Sequence, residues 1–265
     1  MKNLLSIVAI ILLLAAALSF LSSAFPGSSS DSSGAQNKDF ATNKLSGLKI
    51  SFLGDSITTY DGYSNNSSYN STLSNNNKYY PSTNSNNDLS SVKDTYWYQT
   101  INELSLKLCV NNSCDASRVS DTRNDSIPSG LSRAMELHSS IAEPDIIVVY
   151  IGTNDIANGV SLEVFYEAYE QMITDITDRY LNADVYVCTL LPEKRYDDDA
   201  LLCSFNEAIK TIAGMYDCNV VDFYADSGIT WSNYTKYTID NLHPNALGMD
   251  RLTSCLVNAI KKGTK

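Results

Sequence analysis

Four side chains in this sequence could act together on an acyl group. Ser56 lies in FLGDSITTY, residues 52–60, at the end of a short apolar run. Asn154 lies in IGTND, residues 151–155, and Asp240 and His243 lie three apart in DNLHPN, residues 240–245. A serine hydroxyl is a weak nucleophile until a base takes its proton, so an imidazole must be within reach. His138 falls late in a predicted helix, where a helix C-terminus favours its cationic form; little there points to chemistry. His243 sits in a polar loop, three residues after a carboxylate. Asp240 can accept from one ring nitrogen and leave the other facing a serine. Asn154, if it shares an edge with Ser56, supplies an amide donor for a developing oxyanion. Each residue also has an ordinary reading. Gly-Asp-Ser is turn composition, Asp240 can be a cap, and asparagine is common where a strand ends.

These blocks can meet only if the elements between them bring them to one edge. Apolar runs predict strands at residues 48–53, 108–111, 145–151, 184–191 and 219–223. The run DIIVVYI (145–151) is apolar on both faces, as a central parallel strand should be. Helical spacing predicts helices over 94–108, 128–141, 162–180, 199–215 and 245–261. The alternation predicts an α/β domain with a mostly parallel sheet of about five strands and helices on both faces. Ligands of such sheets bind outside the carboxyl ends of the strands. Ser56 follows the first strand and Gly152 to Asp155 follow the third, so both turns fall on that edge. Residues 61–88, rich in Asn, Ser and Tyr, read as a long loop.

In this order and on these strand ends, GDS, GTND and DNLHP resemble the SGNH/GDSL hydrolases, from about residue 48 to the C-terminus. The resemblance implies a three-layer α/β/α sandwich of flavodoxin-like type and a serine esterase mechanism without cofactor or metal. It makes Ser56 the nucleophile, His243 the general base and Asp240 the residue that orients it. Asn154 and the backbone N–H of Ser56 become oxyanion donors. The family usually has a glycine after the second strand whose N–H completes the oxyanion hole. The corresponding stretch here is VNNSCDASRVS, residues 110–120. Ala116 takes the glycine's position, with Asp115 one register step away; Gly130, the nearest downstream glycine, fits less well. Alanine also has the required N–H, but a positive φ there would strain it. Asp55, Gly152 and Trp97 are expected to contact substrate.

Composition bounds the partners. The net charge of −11 argues against a nucleic-acid backbone or an anionic membrane surface. Two histidines cannot form a multi-histidine metal site of the usual kind. Lys2, the apolar run 4–21 and the small residues Ser22, Ser23 and Ala24 read as a secretory signal over 1–24. The run is also near the roughly 20 residues that span a bilayer, so an uncleaved membrane anchor is the alternative. Both versions make the domain secreted or cell-surface. Residues 25–46 read as a Ser-rich flexible linker and 47–265 as the hydrolase domain. The six cysteines permit one or two disulfides in an exported protein, with Cys109 and Cys114 close enough in sequence to pair. Cys188 lies in an apolar run and reads as a buried thiol. Glycosylation sequons occur at Asn65, Asn66, Asn70, Asn111, Asn124 and Asn233.

Two function classes follow. The first is an exported esterase acting on a small-molecule or polysaccharide ester, with acetylated carbohydrate the preferred substrate class. Tyr63, Tyr69, Tyr79 and Tyr80 would then offer stacking faces to sugars. Lipid ester and thioester hydrolysis belong to the same class. The second is a non-catalytic carbohydrate-binding module on a hydrolase scaffold, which the altered glycine position favours and the retained Ser56, Asn154, Asp240 and His243 oppose.

Overall fold

The apolar runs pair into one five-stranded parallel sheet of order β2-β1-β3-β4-β5. The structure, a computed structural model, describes residues 44–64, 78–121, 127–196 and 198–263. In chain order the elements are β1 (Lys49–Gly54), α1 (Tyr96–Glu103), β2 (Lys107–Ser113), α2 (Gly130–Arg133), β3 (Ile146–Tyr150) and α3 (Thr153–Ala157). Then come α4 (Leu162–Arg179), β4 (Asp184–Cys188), α5 (Asp199–Met215), β5 (Asn219–Val221), α6 (Phe223–Asp226) and α7 (Ala246–Gly263). Every residue of β3 is buried, which explains why its sequence is apolar without alternation.

From β1 the chain crosses in one direction to β2; from β3 it crosses in the other to β4 and β5. Right-handed crossovers in opposite directions put their helices on opposite faces. Accordingly α1 packs with α7, and α4 packs with α5. On α4 the buried residues Phe165, Tyr169, Met172, Ile173 and Ile176 recur at helical spacing. Each contributes about 1.5–3 kcal/mol by leaving water. Ser161 starts that helix by accepting from the Val164 N–H. The crossing direction reverses between β1 and β3, and the crevice at their carboxyl ends is where such a sheet takes ligands.

Several expectations are corrected. The helix expected over 128–141 is only the single turn of α2. Beyond it the Tyr180 hydroxyl accepts from Leu137 N (2.7 Å) and donates to Met135 O (2.8 Å). The carbonyls of Glu136 and Leu137 accept from Asn112 Nδ2 and Ser51 Oγ. Tertiary partners thus take the backbone groups that a helix would pair internally. All six cysteines are free thiols. Cys109 lies within β2 and Cys114 just past its end, and five steps of extended chain separate them by roughly 16 Å, beyond the reach of a disulfide. The sequon residue Asn111 is buried within β2 and donates to Thr58 O (2.9 Å), which closes it to glycosylation. Leu45, assigned to the linker, is buried in the core. The leader, Tyr69 and the sequons at Asn65, Asn66, Asn70 and Asn124 lie outside the described residues. Among the described residues no helix is long and apolar enough to cross a membrane.

Candidate active site

Ser56 opens a short 3-10 turn, Ser56–Thr58, directly after β1. Gly54 permits this turn, because a Cβ there would lie 2.5 Å from Thr58 Oγ1. Asp55 caps it by accepting from the Ile57 N–H at 3.0 Å. The turn reading of Gly-Asp-Ser is therefore correct for its first two residues, and its product is an oriented Ser56 hydroxyl. Burial pushes the Asp55 carboxyl up to about 7, against the opposing Ile57 N–H and the Arg195 charge.

Ser56 Oγ lies 2.9 Å from His243 Nε2, and His243 Nδ1 lies 2.8 Å from Asp240 Oδ2. The loop carrying the pair is locally determined. Asn241 between them adopts φ 70°, a conformation asparagine tolerates better than most residues. This bend lets Asp240 Oδ1 accept from the Leu242 and His243 N–H groups at 3.2 and 2.8 Å. Tyr79, returning from the Asn/Tyr-rich loop, donates its hydroxyl to Asp240 Oδ2 at 2.7 Å. Its ring lies flat on the His243 imidazole, with centroids 3.3 Å apart and planes 10° apart. Burial alone would raise Asp240. The hydrogen bonds and charge of His243, with the Tyr79 hydroxyl, outweigh it and hold the carboxyl well below its usual range.

The other half of the site comes from separate segments. Asn154 sits in the first turn of α3, after β3. Its Nδ2 donates to Ser117 O (2.9 Å), and its Oδ1 accepts from Arg195 Nη1 (2.9 Å). Ser117 follows Ala116, whose φ of 57° is in the left-handed region. Ala116, the residue expected at the family's glycine position, thus has a glycine-like backbone. Arg133, wholly buried on α2, supports this loop from beneath. It donates to the carbonyls of Gly54 (3.0 Å), Asn112 and Ser129 (3.1 Å) and to Ser117 Oγ (2.7 Å). Burial lowers its pKa to about 10. Asp155, beside Asn154, accepts from the N–H groups of Val119 and Ser120 at 2.8 and 3.3 Å. Among the described residues no group of three or more His, Cys, Asp or Glu side chains is placed to hold a metal ion.

The model of the GDSL-like lipase/acylhydrolase family matches residues 52–251, a span that takes in all four of these residues. The chain belongs to that family. It is accordingly a GDSL hydrolase, acting on ester bonds. Solved structures share its fold. A chain from Bacteroides ovatus assigned as a GDSL-like lipase is 24% identical, with a TM-score of 0.62, over 82% of this chain and 99% of its own. A second, from Bacteroides uniformis, is 23% identical with a TM-score of 0.62 over 82% and 96%. The psychrotrophic esterase EstA from Pseudoalteromonas sp., inhibited by monoethylphosphonate, is 15% identical with a TM-score of 0.54 over 81% and 97%. No curated protein matches the chain.

Three residues of this GDSL hydrolase expected to contact substrate are buried, as Ser56, Asn154 and His243 also are. Trp97 is fully buried, packed against Phe52, because the apolar face of α1 turns into the core. Asp55 is buried and capping. Gly152 has φ 136°, and a Cβ there would press on Leu190 and Phe165 at 3.1 Å, so its role is conformational. His138 lies 3.1 Å from the Tyr180 hydroxyl through Nδ1, remote from the bond chain at Ser56. Of the tyrosines meant for sugar stacking, Tyr80 is buried and donates to Pro244 O (2.7 Å), and Tyr79 is committed to His243. Tyr63 is exposed at 37%. Sequence reasoning missed Arg133, Glu193 and Arg195. Arg195 had one available signal: it follows β4, on the sheet edge already holding Ser56 and Asn154.

Proposed function

We propose that the protein is an exported serine esterase that removes short acyl groups, with acetylated carbohydrate as its substrate class. The observation carrying the mechanism is the continuous chain Ser56 Oγ, His243, Asp240 at 2.9 and 2.8 Å. His243 Nε2 takes the Ser56 proton as Oγ attacks the ester carbonyl, and Asp240 stabilises the imidazolium that forms. The tetrahedral oxyanion is met by Asn154 Nδ2 and the backbone N–H groups of Ser56 and Ala116. Collapse returns the proton from His243 to the departing alcohol and leaves an acyl-serine. Water, deprotonated by the same imidazole, releases the acid.

A short acyl group is supported by the sequence of residues 61–88, which offers almost no aliphatic side chain to receive an alkyl chain. The carbohydrate preference rests on the polar sequence of the loop after Ser56, and export rests on the apolar leader alone. Purified protein should hydrolyse p-nitrophenyl acetate faster than the butyrate and octanoate, and should release acetate from an acetylated polysaccharide. Preference for octanoate would replace this reading with a lipid esterase. Lack of turnover on every ester would remove the esterase assignment.

A further inference from the structure

We propose that Arg195, held by Glu193, is a positioning residue that fixes the Asn154 amide as an oxyanion donor. This rests on the serine esterase reading above. A terminal amide can rotate to exchange its oxygen and nitrogen, and only one orientation presents N–H to a developing negative charge. Arg195 Nη1 donates to Asn154 Oδ1 at 2.9 Å. Arginine has no acceptor, so an Asn154 turned end for end would set amide N–H groups against guanidinium N–H groups. Asn154 Nδ2 has two hydrogens. Ser117 O takes one at 2.9 Å, and the other remains for substrate.

Arg195 is itself constrained. Its Nε donates to Glu193 Oε1 (2.8 Å), and its backbone N–H donates to Glu193 Oε2 (2.7 Å). Glu193 is buried, whereas 37% of the arginine side chain is exposed. The guanidinium is therefore gripped on its buried side and applied to Asn154. A cation on the amide oxygen also draws electron density from Nδ2 and makes it a stronger donor. The same loop reaches the other half of the site, because Lys194 N donates to Asn241 O (3.0 Å) between Asp240 and His243. The segment after β4 thus touches both the oxyanion donor and the histidine loop.

A kinetic cycle on p-nitrophenyl acetate tests this with wild type, Arg195→Met, Asn154→Ala and the double variant, and with Ser56→Ala as the zero. Arg195→Met should lower kcat roughly tenfold to hundredfold, the loss of one charge-assisted hydrogen bond, with KM changed less than about threefold. In the Asn154→Ala background the same substitution should cost less than about threefold, since Arg195 acts through an amide no longer present. Arg195→Lys, which keeps the charge but loses the fork, should fall between wild type and Arg195→Met and keep the wild-type melting temperature. Equal losses in both backgrounds, or a loss confined to KM, would overturn the proposal. An active Ser56→Ala protein would instead overturn the esterase reading and take this proposal with it. With Ser56→Ala inactive, the cycle reports on Arg195 alone.

Discussion

The two halves of the site are built in different ways. Asp240 and His243 share one bend, and the Asp240 carboxylate bonds both the ring and the backbone N–H of His243 within four residues. The half around Asn154 draws Ser117 from after β2, Asn154 from after β3, Arg195 from after β4, and Arg133 from α2. A local half can be written into consecutive residues and works wherever its loop is delivered. An assembled half depends on the whole sheet, and its members have no fixed spacing. Tyr79 is the exception on the local side, because it comes from far away in sequence to join Asp240.

The strongest way to break this comparison is to remove its meeting point. Ser56→Ala and His243→Ala should each lower turnover of p-nitrophenyl acetate by about 10⁴-fold or more, and the double variant should be no slower than either. Multiplying losses would mean that the histidine loop does not act through Ser56. The next effect concerns stability. Burial raises Asp55 to about 7, so the folded protein holds that proton more tightly than the unfolded chain does. Stability should fall as pH climbs from about 4 to about 7 and level off above, with a cost of a few kcal/mol at most. Asp55→Asn should match wild type at pH 4 and exceed it at pH 8 in urea unfolding; a constant difference would remove the titration argument.

Tyr79 sharpens the local side. Tyr79→Phe keeps the stack on His243 and loses the bond to Asp240, and should slow turnover about threefold. Tyr79→Leu loses both and should slow it about tenfold or more, because a ring face also stabilises the imidazolium. Two variants as fast as wild type would show that the His–Asp pair needs no third member. The smallest effect is on the assembled side. Alanine at positive φ costs about 1 kcal/mol, which the greater freedom of an unfolded glycine partly cancels. Ala116→Gly should gain about 0.5 kcal/mol and leave turnover within about twofold, whereas Ala116→Val should lose stability. A gain of tenfold in rate would mean that alanine holds the loop off its working position.

What could be read from sequence follows the same division. The run at β3 announced itself because a strand buried on both faces needs apolar residues throughout. His243 and Asp240 were legible because their contact is encoded in a three-residue spacing. Ser56 and Asn154 were legible through strand-end placement. Arg133 was hidden: a basic residue in a predicted amphipathic helix belongs by default on the solvated face, and only the fold reveals its four acceptors. The rest of that predicted helix failed for a related reason, since Tyr180, more than 40 residues away, takes its backbone groups. Trp97 was misplaced because nothing in a helical stripe says whether an aromatic faces core or cleft.

Arg133 has a consequence for how the protein comes apart. Among the described residues its cation is bonded to no carboxylate; its hydrogen bonds end on oxygens from β1, β2, the Ser117 loop and Ser129. Withdrawing any one of these segments leaves a charge in a dry interior with fewer acceptors, an arrangement that costs several kcal/mol. Partial opening near the site is therefore penalised more than its few exposed contacts suggest. The strand ends around Ser56 should open all-or-none with the sheet, exchanging their amide hydrogens at the rate of the deepest core rather than that of a surface loop.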